Sequence, residues 1–197
     1  MPEQPPDRSA DTSVPIHPAI AARWSPRAFD PTAELSGGDL TALLEAARWA
    51  ATWGRRQPVR FVVGRRGDQA FGTLSALLSR GNHYAQAAGA LILLCSDQGS
   101  DEDTARYACV DAGSAMANLS IEAVSRGLIV HPMAGFDAPG ASVAFDLPDG
   151  VRPLMVIAVG TLGDYSEVAP EIAERDSLPR ERLPLADVVL NWRDLPG

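Results

Sequence analysis

The segment Ala90–Leu94 is apolar at every position, and that run constrains the chain more than any other feature. A strand with one wet face alternates apolar and polar residues, whereas one without alternation must be covered on both faces. The run therefore predicts a strand held between layers of helices. Leu128–Val130 and Leu154–Val159 have the same character. Val59–Val63 is short and β-branched, which predicts another strand, closed by Gly64-Arg65-Arg66-Gly67. The longest apolar stretch, around Ala87–Cys95, is about half the length a membrane-spanning helix needs, so no membrane partner is expected.

Between these runs the apolar residues return at helical spacing. Pro18–Trp24 reads as a short helix with proline at an early position, where its missing N–H costs nothing. Leu40, Leu43, Leu44 and Ala47 give Gly38–Ala50 one apolar face, with Ser36 or Asp39 to cap it. Phe71, Leu74, Leu77 and Leu78 do the same for Phe71–Leu78. Thr104–Arg126 is the most regular segment: Cys109, Ala112, Met116, Leu119 and Ala123 recur at threes and fours, and Gly127 follows where positive φ is wanted. Its many alanines favour close axis-to-axis approach, which predicts a central, tightly packed helix, facing another helix or its own symmetry mate. Pro139–Phe145 and Glu167–Arg175 read as shorter helices. Alternating strands and helices predict an α/β or α+β sheet covered by helices, with the strand order left open.

The chain has 197 residues, enough for one domain, here placed at residues 16–197. Pro2, Pro5, Pro6 and Pro15 among small and charged residues predict a disordered N-terminal arm over residues 1–15. That arm has no apolar stretch of the secretory kind, and a cytoplasmic setting is expected. Net charge is −8, from 25 acids and 17 bases, and every base is arginine. An acidic total argues against non-specific binding to nucleic acid or anionic membranes, yet leaves room for a local basic pocket built on guanidinium forks. Cys95 and Cys109 lack CxxC spacing and read as buried and reduced, and the scattered His17, His83 and His131 give no metal motif.

Four segments stand out. Arg23-Trp24-Ser25-Pro26-Arg27-Ala28-Phe29 places two forks and a hydroxyl within one turn of chain, which suits a phosphate or else an ordinary solvated turn. Arg180-Glu181-Arg182-Leu183-Pro184 presents two more forks on one side of an extended chain. The loop from Thr52 to Phe61 carries Gln57 ahead of Pro58. His131 to Asp137 leaves the end of a buried strand, where ligands of sheet proteins tend to sit, and Gly135 would let a backbone amide approach a flat ring. No nucleophile elbow, P-loop, Rossmann fingerprint or carboxylate pair is present. Chemistry carried by a cofactor suits this inventory better than side-chain acid–base catalysis.

In this order, from Ile16 to Trp192, the segments resemble the nitroreductase family of FMN-dependent oxidoreductases. The run Arg23 to Phe29 looks like its flavin-phosphate motif, and Glu45 to Ala50 with Gln57-Pro58 and Arg60-Phe61 looks like its most recognisable signature. Asn82 with Tyr84, Asp111-Ala112-Gly113 through Asn118-Leu119 to Gly127-Leu128, Met133 to Asp137, Gly160 with Gly163-Asp164, and Arg180 to Leu185 complete the series. The resemblance implies an α+β fold with a central, mostly antiparallel sheet covered by helices, in a homodimer with FMN at the subunit boundary. By position, Arg23, Trp24, Ser25, Arg180 and Arg182 would lie at the phosphate end and Arg27 near N1 and O2 of the ring. Asn82 and the backbone of Pro132, Met133, Ala134 and Gly135 would face the ring, with an amide donating to N5. Gln57 would approach from across the boundary.

The implied activity is hydride transfer from NAD(P)H through flavin N5 to nitroaromatics, quinones or related electron-poor acceptors. A protein of the same fold that only stores FMN is the alternative. The chain departs from the family pattern in Ala51-Thr52-Trp53, Arg55, Val59 and Ala134. Trp53 and Arg55 fall in the implied substrate pocket. Trp53 would narrow it or fill a packing gap, and Arg55 would favour an anionic acceptor or the phosphorylated nicotinamide.

Overall fold

A computed structural model describes residues 8–192. Residues 1–7 of the expected N-terminal arm and residues 193–197 thus lie outside the described residues. Four strands, β1 (Val59–Arg65), β2 (Ala90–Asp97), β3 (Ile129–Met133) and β4 (Val151–Gly160), form one antiparallel sheet in the order β1-β2-β4-β3. The seven helices described are α1 (Pro18–Ala22), α2 (Gly37–Arg48), α3 (Gln69–Leu77), α4 (Glu102–Ser125), α5 (Ala138–Ala144), α6 (Pro170–Ser177) and α7 (Leu185–Val188).

The unbroken apolar run of β2 is explained by its two faces. Ala90, Ile92 and Leu94 enter one core with Leu40, Leu43 and Ala47 of α2 and Ala112, Ala115, Leu119 and Ala123 of α4. Leu91, Leu93 and Cys95 enter a second core with Phe71 and Leu74 of α3 and Ala141 of α5. Period-two side chains on a strand feed alternate faces, so both sets must be apolar. β2 sits between β1 and β4 and is buried along almost its whole length. Ser36 caps α2, its hydroxyl oxygen accepting the Asp39 N–H at 2.9 Å. Gly127 ends α4 with φ +73°, a left-handed conformation that glycine adopts without a Cβ penalty.

Three local expectations change. β1 runs through Gly64 to Arg65, because Gly64 is a contact position rather than a turn: a Cβ there would lie 2.3 Å from the Phe71 backbone nitrogen. Cys109 is free but exposed, since the buried face of α4 runs through Ala108, Ala112, Ala115, Leu119 and Ala123, one position away; Cys95 is buried as expected. Arg80–Ala87 forms a 3-10 segment that no periodicity announced. At Ala10 the arm is tied to the domain, its N–H donating to the Ala21 carbonyl at 2.9 Å, while residues 11–15 are exposed.

Beyond the sheet, residues 28–30 run beside 161–163 as an extension of β4. The Gly163 N–H donates to the Ala28 carbonyl and the Asp30 N–H to the Thr161 carbonyl, each at 3.0 Å. This seam fixes the Arg23–Arg27 segment against the end of the sheet.

Candidate functional site

The two arginine-rich segments, more than 150 residues apart in sequence, meet in space. Residues 178–184 pass extended beside residues 21–27, and Arg180 stitches them together. Its guanidinium donates to the carbonyls of Arg8, Ala21 (3.3 Å) and Arg23 (3.0 Å). Between the segments is a cavity of about 380 Å³ lined by Arg8, Arg23, Arg27, Arg175, Arg180 and Arg182. Trp24 and Ser25 are also in its wall, and Asp176 and Glu181 are its two carboxylates. Six of the seventeen arginines of an acidic chain therefore share one hollow.

These cations are not mutually neutralised. Burial, and then repulsion from Arg180 and Arg182, hold the Arg23 pKa below the ordinary arginine value. Burial, Arg182 and Arg8 do the same to Arg180. The Arg23 Nη1 donates to Ser25 Oγ at 3.1 Å, leaving the serine proton free to donate into the cavity. Arg182 donates to the Glu181 carbonyl at 2.7 Å. The Nε atoms of Arg27 and Arg8 are buried with no partner among the described residues. Buried donors without acceptors are costly, and like charges held together are relieved by a multivalent anion. The donor set fits a phosphate monoester.

Arg27 is the exception, because it has a fixed counter-charge. Asp176 is buried on α6 and accepts from the Arg27 backbone N–H (2.7 Å), the Arg27 Nη1 (2.8 Å) and the Tyr165 hydroxyl (2.9 Å). The Arg27 guanidinium lies 5.9 Å over the Tyr84 ring, which connects the cavity to the end of β3.

There, His131 sits between Pro26 and Tyr84. Its Nδ1 is 2.9 Å from the Pro26 carbonyl oxygen and its Nε2 is 3.0 Å from the Tyr84 hydroxyl. A carbonyl only accepts, so Nδ1 carries the proton and Nε2 accepts from Tyr84. Burial lowers the His131 pKa and pushes Tyr84 up to about 12, so both groups are neutral. His131 is a structural histidine. The loop that follows is held by its own neighbours: the Gly135 carbonyl accepts from Asn82 Nδ2 (2.8 Å) and from the Ser79 N–H (3.0 Å). A Cβ on Gly135 would lie 2.7 Å from Asn82 Nδ2, so a larger residue there would displace the asparagine amide. Asn82 thus anchors Gly135, just beyond Pro132 and Met133, the last two residues of β3. Met133 is buried and Ala134 exposed.

Within one chain the remaining candidates stay apart from this cluster. Gln57 lines a second cavity of about 560 Å³ between α2, α4 and β1. Trp53 stacks on Tyr107 at 4.8 Å, and its backbone N–H donates to the buried Asp111 carboxylate at 3.0 and 3.1 Å. Arg55 is exposed.

A sequence model of the nitroreductase family matches residues 20–79 and 76–161, more than half of the chain. The chain belongs to the nitroreductase family. A 15.4 kDa protein in the ask 5′ region of Mycolicibacterium smegmatis is 60% identical over 143 residues, covering 68% of this chain and 97% of the relative. The crystal structure of an oxidoreductase containing FMN is similar at 31% identity and a TM-score of 0.84, covering 95% of this chain and 96% of that one. A Desulfovibrio desulfuricans protein assigned as a nitroreductase and solved in complex with FMN is 27% identical, with a TM-score of 0.66 over 88% of this chain and all of the other. The nitroreductase fold, with its antiparallel sheet between helices, is thus the fold expected from the sequence.

In this nitroreductase-family chain, four of the six cavity arginines, Arg8, Arg175, Arg180 and Arg182, lie outside the matched residues. The sequence singled out Arg180 and Arg182 but missed Arg8, Arg175, Tyr165 and Asp176. Asp176 stands among Glu171, Glu174 and Arg175, where charge reads as a solvated helix face. Only the packing of α6 against the Arg27 segment makes it buried.

Proposed function

We propose that this chain is an FMN-dependent oxidoreductase that takes hydride from NAD(P)H and passes it to electron-poor acceptors such as nitroaromatics and quinones. One observation carries the reading: Arg23, Ser25, Arg27 and Arg182 converge, from distant segments, on a cavity rich in guanidinium groups, two of whose buried nitrogens, Arg8 Nε and Arg27 Nε, have no acceptor among the described residues. When bound, FMN would supply the two-electron chemistry at N5. Arg23, Ser25 and Arg182 would hold its phosphate, while Arg180 braces the two segments that carry them. Arg27, oriented by Asp176, would hold the side of the ring that gains negative charge. Asn82 would set the Pro132–Gly135 backbone against the ring.

The reading extends to a homodimer. Gln57, Trp53 and Arg55 lie away from the arginine cavity in their own chain, so any part they take in the flavin site requires a second copy. Trp53, at 44% exposure, and Val110, at 59%, leave apolar surface on that side. Two free cysteines suit a reducing, cytoplasmic compartment. Among the described residues, no helix is long and apolar enough to cross a membrane.

The test is an anaerobic spectrum. The purified protein should be yellow, and NADH or NADPH should bleach it, with colour restored by a quinone. Flavin that binds but is reduced by neither nicotinamide would overturn the enzymatic reading and leave a flavin-storing protein.

A further inference from the structure

Resting on the FMN reading above, the inference concerns the arm that precedes the matched family residues. Arg8 is twelve positions ahead of the first of them, yet it forms part of the cavity wall. Its guanidinium caps the carbonyls of Ser177 (3.4 Å) and Leu178 (2.5 Å) at the end of α6 and lies 5.0 Å over the Trp24 ring. Its own carbonyl accepts from Arg180, and two residues on, Ala10 bonds to Ala21 at the end of α1. The arm is thereby sewn across both arginine segments at three points.

Those bonds do not exhaust Arg8. Its Nε–H is buried and has no acceptor among the described residues. Among the described residues the cavity offers it little counter-charge, since the Asp176 carboxylate is engaged by Arg27 and Tyr165, leaving Glu181 to face the other guanidinium groups. Arg8 contributes to the repulsion that lowers the Arg180 pKa, which places the two cations within each other's field. Holding a sixth cation in this cavity is unfavourable without an anion, and the carbonyl contacts alone would be served as well by a neutral amide donor.

We propose that Arg8 is a phosphate-binding residue and that residues 8–10 form a strap at the anion cavity, so that retention of a phosphate-bearing flavin depends on residues before the family fold begins. Guanidinium contacts to phosphate are charge-assisted, and losing one weakens binding by about tenfold or more. Each released counter-ion also steepens the salt dependence of binding, by analogy with other phosphate contacts.

The experiment uses the full chain stripped of flavin. FMN affinity is read by quenching of flavin fluorescence at several salt concentrations, for wild type, Arg8→Gln, Arg8→Lys and the exposed Arg152→Gln as a charge control. The shift in Tm on adding inorganic phosphate is read in parallel. Arg8→Gln should weaken FMN by about tenfold or more, flatten the salt dependence and shrink the phosphate-induced shift. Arg8→Lys should keep more affinity than Arg8→Gln, and Arg152→Gln should match wild type. A purely structural brace would instead leave FMN affinity unchanged in Arg8→Gln, whether or not the Tm of the flavin-free protein falls, and that result overturns the strap alone. Failure of wild type to bind FMN overturns the parent reading and the strap with it.

Discussion

Replacing Asp176 by alanine tests how the Arg27 guanidinium is held. The carboxylate is 1% exposed and receives three hydrogen bonds of 2.7 to 2.9 Å, two from Arg27 and one from Tyr165. Alanine would leave an amide, a hydroxyl and a guanidinium without their acceptor. Removing one member of a buried ion pair costs about 3–5 kcal/mol. The Arg27 side chain keeps 22% exposure, so water recovers part of that loss and about 3 kcal/mol is expected. In a chain of this size the loss corresponds to a fall in Tm of roughly 6–12 °C. Tyr165→Phe, which removes a single donor, should cost about 1.5 kcal/mol. Urea denaturation of the flavin-free protein measures both. The pairing is then isolated by a double-mutant cycle with Arg27→Met, where the two losses should fall short of additivity by about 1 kcal/mol or more. Additive losses, or an Asp176→Ala cost under about 1 kcal/mol, would refute the reasoning.

Three further outcomes follow from other parts of the molecule. Arg23→Ala and Arg182→Ala should each release FMN while leaving folding nearly unchanged; flavin retained by both variants on gel filtration would show the phosphate end to be misplaced. Gly64→Ala puts a Cβ 2.3 Å from the Phe71 backbone nitrogen, so α3 must shift from β1 at a cost of about 2 kcal/mol, and unchanged Tm would contradict that contact. His131 has a folded pKa below its ordinary 6.5, because burial favours the neutral ring. Its contribution to stability is therefore full above about pH 6.5 and is lost as pH falls and the unfolded state takes up the proton. The wild-type Tm should drop between pH 7.5 and 5.5 more than that of His131→Gln, and parallel curves for the two would exclude this role.

Much of the fold could be read in the sequence because burial leaves periodic marks. The apolar run of β2, the threes and fours of α4 and the glycine after it all report which side of an element meets the core. The 3-10 segment Arg80–Ala87 left no such mark, since its contribution is one buried alanine and the hydrogen bonds of Asn82 and Tyr84. Arg23, Arg27, Arg180 and Arg182 were legible as clusters of forks, but their convergence depends on the seam between residues 28–30 and 161–163. Asp176 and Arg8 were hidden because charged residues in a charged helix or a proline-rich arm read as solvated. At Gly135 the sequence marked a place where a Cβ matters, and the side chain packed against it there is that of Asn82.

The most direct measurement is the affinity of the stripped protein for FMN beside that for riboflavin, which has the same ring system and no phosphate. With Arg23, Ser25 and Arg182 holding the phosphate through charge-assisted bonds, FMN should bind at least about a hundredfold more tightly. Equal affinity for the two would contradict the arginine cavity as the anchor of the cofactor.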